Sequence, residues 1–256
     1  MKILVIPDTQ CKDGVPFDHL GWIGKFIIDK QPDVIVQIGD WADMPSLSSY
    51  DKGKKSFEGR RYKKDIDASI RAMHTLLDPL RAFQDKQRKN KKQVYSPRLV
   101  MTTGNHDYAR INRAINNDAV LDGVISISDL QYEEFGWEVF PFLDVVIING
   151  VAFSHYFPTG VAGRPASTAN AQLSKQHQSC IAGHQQGLQI ATGRRADGKL
   201  LTSIIAGSFY LHDEEYLGPQ QNNHWRGCLM LHNVEDGQFD LNLLPMVYLE
   251  NKYKND

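Results

Sequence analysis

One short strand that runs straight into a glycine and three polar residues constrains this chain more than any other feature. Residues 98–103 read RLVMTT, a β-branched and apolar run of the kind that forms a buried strand. Gly104 breaks the run and permits a sharp turn, and Asn105, His106 and Asp107 follow it directly. An amide, an imidazole and a carboxylate therefore leave the end of one strand together. Loops at strand C-termini are where open α/β folds keep their chemistry. Alone, such a turn is weak evidence; other strands must bring partners to it.

Four other segments do the same thing. Lys2 to Pro7 carries four apolar residues without alternation, as in a strand buried on both faces, and ends in Asp8, Thr9 and Gln10. Helical spacing follows over Leu20 to Ile28, Pro32 closes it, and Val34 to Ile38 forms a second buried strand ending in Asp40 and Asp43. Strand, helix and strand in this order make a βαβ unit with a parallel sheet. Asp144 to Asn149 and Val151 to Ser154, joined by an Asn-Gly hairpin signal, deliver His155. Ser179 to Ala182 is a short strand that ends in Gly183-His184-Gln185-Gln186. Pro158 to Ser167 reads as a loop, and further strands are expected over Leu200 to Ala206, Gly227 to Leu231 and Phe239 to Leu244.

Five strand ends thus carry Asp8 and Gln10, Asp40 and Asp43, Asn105 and His106, His155, and His184 with Gln186. In a parallel-type sheet those ends lie along one edge, so positions distant in sequence converge. Oxygen and imidazole donors in such number are what a pair of divalent metals requires. A single strand-end aspartate is more often a helix cap and a single histidine more often a surface or core residue. Five ends in succession favour a site.

With 256 residues, 41% apolar and 23% charged, the chain is long enough for one large α/β domain. No apolar run approaches the roughly 20 residues of a membrane span, so no membrane partner is expected. The short apolar start MKILVIPD does not read as a signal peptide. Three widely spaced cysteines suggest reduced thiols and a cytoplasmic setting. The net charge of −1 hides a cationic segment, since residues 51–98 hold 15 Lys or Arg against 6 Asp or Glu. That segment reads as helical to about Gln93, with Ile66, Ile70, Met73, Leu77 and Leu80 on one face and Pro79 expected to kink or restart the helix.

The succession DxQ, GDxxD, GNHD, a strand-end histidine and GHxQ resembles the calcineurin-like metallophosphoesterases, whose pattern is DxH, GDxxD, GNHD or GNHE, His and GHxH. The texture around GDWADMPSLSSYDKGKKSFEGRRYKKD is most similar to metallophosphatases encoded by bacteriophages, which would place the protein in a host cytoplasm. The resemblance implies a four-layer α-β-β-α sandwich of two mixed sheets, a single domain over residues 1–256 with a basic helical insertion at about 50–95. It implies two divalent ions, with Asp40 bridging them and Asp8 on the first, and Asn105, His155 and His184 on the second. A hydroxide bridging the two metals would attack phosphorus, His106 would protonate the leaving oxygen and Asp43 would orient His106. Gln10 and Gln186 stand where the family has first-metal histidines. Amide oxygens are harder and weaker donors, so the first site is expected to be the weaker one. Mn²⁺ is the expected ion, with Mg²⁺, Fe, Zn²⁺ or Ni²⁺ as alternatives.

The expected function is hydrolysis of a phosphate mono- or diester. The alternatives are a nuclease that holds DNA or RNA through the basic residues 52–92, and a catalytically weak binding module. Arg110 and Arg113, after the GNHD turn, are candidates to clamp a substrate phosphate. Cys11 is expected to pack as a small apolar residue, His212 to face solvent and His177 to sit on a surface helix; His19 and His74 have no supporting context. Oligomeric state is not legible in the sequence.

Overall fold

The computed structural model describes residues 1–214 and 217–255. The first part of the chain is β1 (Ile3–Ile6), α1 (Asp18–Lys30), β2 (Val34–Gln37), α2 (Tyr62–Lys89), β3 (Arg98–Thr102), α3 (Arg110–Asn117) and β4 (Glu138–Phe140). The middle part is β5 (Val146–Ile148), β6 (Val151–Ser154), the two-residue pair β7 (Pro158–Thr159) and β8 (Arg164–Pro165), α4 (Ala169–Gln176) and β9 (Cys180–Ala182). There follow β10 (Gln189–Arg194), β11 (Leu200–Ile205), α5 (Gly218–Asn222), β12 (Gly227–Glu235), β13 (Gln238–Pro245) and α6 (Met246–Tyr253). Two large mixed sheets result, one ordered β13-β12-β1-β2-β3-β4 and the other β10-β11-β9-β6-β5. In the first, β1 to β4 run parallel, and β12 joins β1 antiparallel. In the second, β9 lies parallel to both β6 and β11.

The unalternating strands are explained by two-sided burial. Leu4, Ile6, Ile35 and Met101 pack with Leu20, Ile23 and Ile27 of α1 and with Met73, Leu76 and Leu80 of α2. Ile3, Val5, Val34, Val36 and Val100 instead pack with Val151, Phe153, Ile181 and Ile204 of the second sheet. One register of one sheet therefore serves two cores, as period-2 geometry requires. The C-terminal ends of β1, β2 and β3 point the same way, and those of β6 and β9 do so in the partner sheet. Among the described residues no helix is long and apolar enough to cross a membrane.

Several elements differ from expectation. α2 runs unbroken from Tyr62 to Lys89 through Pro79, and residues 51–61 hold only turns and one 3₁₀ turn at Lys55–Phe57. Pro79 is accommodated where α1 and α2 approach most closely: a Cβ at Gly24 would lie 2.7 Å from the Leu76 carbonyl oxygen and 3.2 Å from Pro79 Cγ. Packing against α1 thus holds the helix across the missing backbone donor. The expected loop after His155 contains the small β7–β8 pair. β4 and β10 were not anticipated, β10 because half of its residues are exposed, whereas α4 is the short helix that His177 caps.

His19 turns out to be a core residue, 1% exposed on α1, with its ring edge-on to Phe209 at 5.0 Å. Burial drives its pKa from 6.5 down to about 3, with His212 adding to the effect. The folded value lies below the unfolded one, so between these limits the unfolded chain binds the extra proton. Stability from this residue is complete above about pH 6.5 and declines as pH falls toward 3. His19→Asn should therefore flatten the acid side of the curve of melting temperature against pH relative to the parent. Parallel curves from pH 7.5 to 4.5 would show that His19 takes up no proton on unfolding.

Candidate metal centre

The strand ends meet where the two sheets meet. The turn after β1 is laced to the turn after β2 through Thr9 N and Gln10 N, which both donate to the Asp40 carbonyl at 3.1 and 2.8 Å. Gln10, Asp40 and His184 adopt left-handed backbone angles (φ 44°, 49° and 66°), a strained choice for non-glycine residues that aims each side chain off its strand. Two glycines make room for the carboxylates. A Cβ at Gly104 would overlap Asp40 Oδ1, and a Cβ at Gly183 would overlap Asp8 Oδ1. Neither position tolerates any side chain without moving a carboxylate.

Asp40, His155 and His184 bring one ligand atom each to within 4.8 Å of one another. Asn105 Oδ1 lies among them, 2.9 Å from His155 Nε2 and 2.8 Å from His184 Nδ1. His155 Nδ1 sits 2.8 Å from the Ile38 carbonyl oxygen and so donates to it, which turns Nε2 toward Asn105 and Asp40, the latter at 3.4 Å. Burial opposes charge on His155, but Asp40 and Asp8 outweigh it and push the ring's pKa up to about 10. A positive charge is favoured where these oxygens converge. Burial raises Asp8 to about 7, with Asp40 adding repulsion, and burial together with His155 lowers His184 to about 4.

The donor set passes a further test of fit to divalent metal. Asp8 Oδ2 and Gln10 Oε1 are buried oxygens that accept no hydrogen bond. Buried acceptors without donors are costly, and a cation is the partner such oxygens fit. Asp8 Oδ1 is already engaged by His184 N at 3.0 Å, so Oδ2 is the oxygen left to bind. Gln186 lines the cavity beside Gln10.

His106 stands at the edge of this cluster. Its Nδ1 is 2.7 Å from Asp43 Oδ1, its backbone N–H donates to Asp40 Oδ1 at 2.8 Å, and its Nε2 lies 3.8 Å from Asp40 Oδ2. Burial disfavours its charge, yet Asp40 and the Asp43 hydrogen bond hold the ring's pKa above the ordinary range; Arg110 works against them. Burial likewise opposes ionisation of Asp43, but His106, Lys12 and Arg110 hold its pKa far below the usual carboxylate value.

Arg110 opens α3 and its Nη1 donates to the Asp43 carbonyl at 2.5 Å, to Asp43 Oδ1 at 3.2 Å and to the Met44 carbonyl at 3.3 Å. Its Nη2 is 3.4 Å from His106 Nε2. Arg113 is half-buried on α3 and is not among the residues lining the cavity. Cys11 is buried, and His177 is exposed at the end of α4. His212 does not face solvent: its ring stacks on Tyr210 at 4.6 Å and its Nε2 is 2.8 Å from Glu214.

Sequence reading missed Lys12, whose ammonium joins Asp43 at 3.2 Å and Glu214 at 2.6 Å. It also missed the role of Asp107, whose buried carboxylate accepts from Gly104 N, Tyr108 N, Trp41 N and the Tyr132 hydroxyl. The cavity beside the cluster measures about 670 Å³, and its far wall comes from residues 217–224, a stretch with no periodic signal.

Two phage proteins resemble the chain along nearly its whole length. The "Gene 54 protein" of Mycobacterium phage L5 is 29% identical over 262 residues, covering 96% of this chain and 94% of its own. The protein of the same name from Mycobacterium phage D29 is 29% identical over 261 residues, with the same two shares. No family model matches the chain. The match to one solved structure, that of Yfce, a phosphoesterase from E. coli, covers 95% of this chain and all of the other. Its identity to this chain is 11% and its TM-score 0.36.

Proposed function

We propose that the chain is a metal-dependent phosphoesterase that hydrolyses a phosphate mono- or diester on a four-layer α-β-β-α scaffold. The observation that carries this reading is the convergence of Asp40, His155 and His184 beside buried, unpartnered oxygens of Asp8 and Gln10. Asn105, His155, His184 and Asp40 would hold the firmer ion, and Asp8, Asp40, Gln10 and Gln186 the weaker one. When bound, such ions supply Lewis acidity, drawing charge from a phosphoryl group and acidifying water.

The remaining chemistry belongs to the chain. Asp43 fixes the His106 ring through Nδ1, so that Nε2 carries the proton offered to the departing ester oxygen. Burial works against charge on that ring, Asp40 and Asp43 favour the protonated form, and Arg110 next to Nε2 makes the proton easier to give up. Lys12, bridging Asp43 and Glu214, keeps the Asp43 carboxylate turned toward His106.

Metal titration tests the reading. Purified protein stripped of metal should bind one Mn²⁺ tightly and a second more weakly, with hydrolysis of nitrophenyl phosphate rising only as the second binds. Gln10→His with Gln186→His should strengthen the weaker site toward Zn²⁺ by about tenfold or more, because imidazole replaces a neutral amide oxygen. One ion per chain and no turnover at any Mn²⁺ concentration would reject the dinuclear hydrolase and favour a binding module.

A nuclease would use the same centre. Lys52, Lys63, Lys89 and Lys92 stand exposed, which favours contact with a phosphate backbone. Arg60 and Lys54, by contrast, pair with Asp51, and Lys64 and Arg71 with Asp13. DNA binding that strengthens as salt is lowered, with a log–log slope reduced by charge-neutral replacement of those exposed lysines, would support the nuclease.

A further inference from the structure

The far wall of the cavity has no part in the chemistry proposed above. It presents Leu217, Gln220, Gln221, Asn223 and His224 to the cavity that Asp40, His106 and His184 also line. Among the described residues that line the cavity there is no lysine or arginine, and Arg110 is turned toward Asp43 and Met44. The wall is therefore built from amides, one imidazole and one apolar side chain. Amides offer a donor and an acceptor together and no charge. Gln220, Gln221 and Asn223 are exposed, and none of the hydrogen bonds made among the described residues engages their side-chain amides, so these groups are open to solvent or to a ligand.

The backbone that carries these amides is braced. Asn222 closes two hydrogen bonds of 2.9 Å with the backbone of Glu214, and Arg226 donates to the Asn222 carbonyl at 3.0 Å while lying over the Tyr210 ring at 4.9 Å. The His224 ring is held between the Gln221 carbonyl at 2.8 Å and Ser208 Oγ at 2.7 Å. Glu214 in turn bonds Lys12, which reaches Asp43. Wall and proton donor thus belong to one hydrogen-bonded network, the arrangement expected where an organic group is held while its ester bond is cut.

We propose that the group esterified to the phosphate is an uncharged nucleoside, seated with its base edge on Gln220, Gln221 and Asn223. The proposal rests on the phosphoesterase reading for the position of the phosphate. Paired donor and acceptor amides match the edge of a nucleobase, and Leu217 and His224 offer faces for its ring. The volume of about 670 Å³ is that of an open cleft and is large enough to accept a ligand of this size. A second anionic group on the substrate meets no cation on this wall and is disfavoured.

Two measurements on the full chain test this. In the metal-free protein, adenosine and uridine should shift side-chain amide resonances in ¹⁵N NMR spectra, whereas methyl glucoside should not. Gln220→Ala with Asn223→Ala should weaken nucleoside binding about tenfold, the loss expected for two hydrogen bonds. With Mn²⁺, adenosine 5′-monophosphate should be hydrolysed with kcat/KM about tenfold above glycerol phosphate and above adenosine 3′,5′-bisphosphate, all three having alkyl leaving groups. Equal rates on these esters, or resonance shifts with the glucoside and not the nucleosides, would overturn the proposal while leaving the hydrolase intact. Nucleoside binding without turnover of any ester would support the wall and defeat the hydrolase.

Discussion

His106→Asn should lower the hydrolysis of an alkyl phosphate ester by about 10²–10⁴-fold, the usual worth of a positioned acid, while the metal content stays that of the parent. The imidazole is bound at Nδ1 by Asp43 and touches no atom that would hold metal more closely than Asp40 Oδ2, at 3.8 Å. Its backbone N–H, which does support Asp40, survives the substitution. An alkoxide leaving group needs the proton; nitrophenolate departs without one. The variant should therefore lose much less on the nitrophenyl ester than on the alkyl ester. Elemental analysis gives the metal content, and the ratio of the two rates gives the role. Equal losses on both esters would mean that His106 positions phosphate rather than donating a proton. Asp43→Asn should show the same ratio with a smaller loss, because the ring keeps a hydrogen-bond partner but loses the charge that sustains its proton.

The parts of this centre that were legible in the sequence share one property: each follows directly on a strand. Asp8, Asp40, Asn105, His155 and His184 come at most three residues after the end of a strand, and parallel strands bring their ends to one edge. The parts that were not legible depend on tertiary partners with no local trace. Lys12 and Glu214 are 202 residues apart in sequence, and nothing near either one announces the other. His212 lies in a polar stretch that suggested solvent, but stacking on Tyr210 and bonding to Glu214 draw it inward. The wall at 217–224 belongs to a five-residue helix whose sequence, GPQQN, has no apolar stripe to betray it. In α2 the intrinsic preference of Pro79 was outweighed by packing against α1, a contact invisible to any window on one helix.

Asp107→Ala should be the most destabilising single change near the centre, with a loss of about 3–5 kcal/mol, because it strands several buried donors at once. Oδ1 accepts from Gly104 N at 2.7 Å and Tyr108 N at 2.8 Å, and Oδ2 from Trp41 N and the Tyr132 hydroxyl, both at 3.2 Å. The side chain is wholly buried, so water cannot replace it. At roughly 2–4 °C per kcal/mol for a chain of this size, the melting temperature should fall by about 10 °C. Asp107→Asn should cost less, since one oxygen remains an acceptor while the new amide meets donors. The carboxylate also ties the turn after β3 to the turn after β2, and these turns carry Asn105 and Asp40. Metal affinity should therefore drop about tenfold even where the variant is folded, the usual effect of losing support behind ligands. Thermal unfolding measured with and without Mn²⁺ separates the two effects: the parent should gain more from the metal than the variant does. A variant with parental stability and no activity would instead put Asp107 in contact with substrate, which its burial beneath the Gly104 turn argues against.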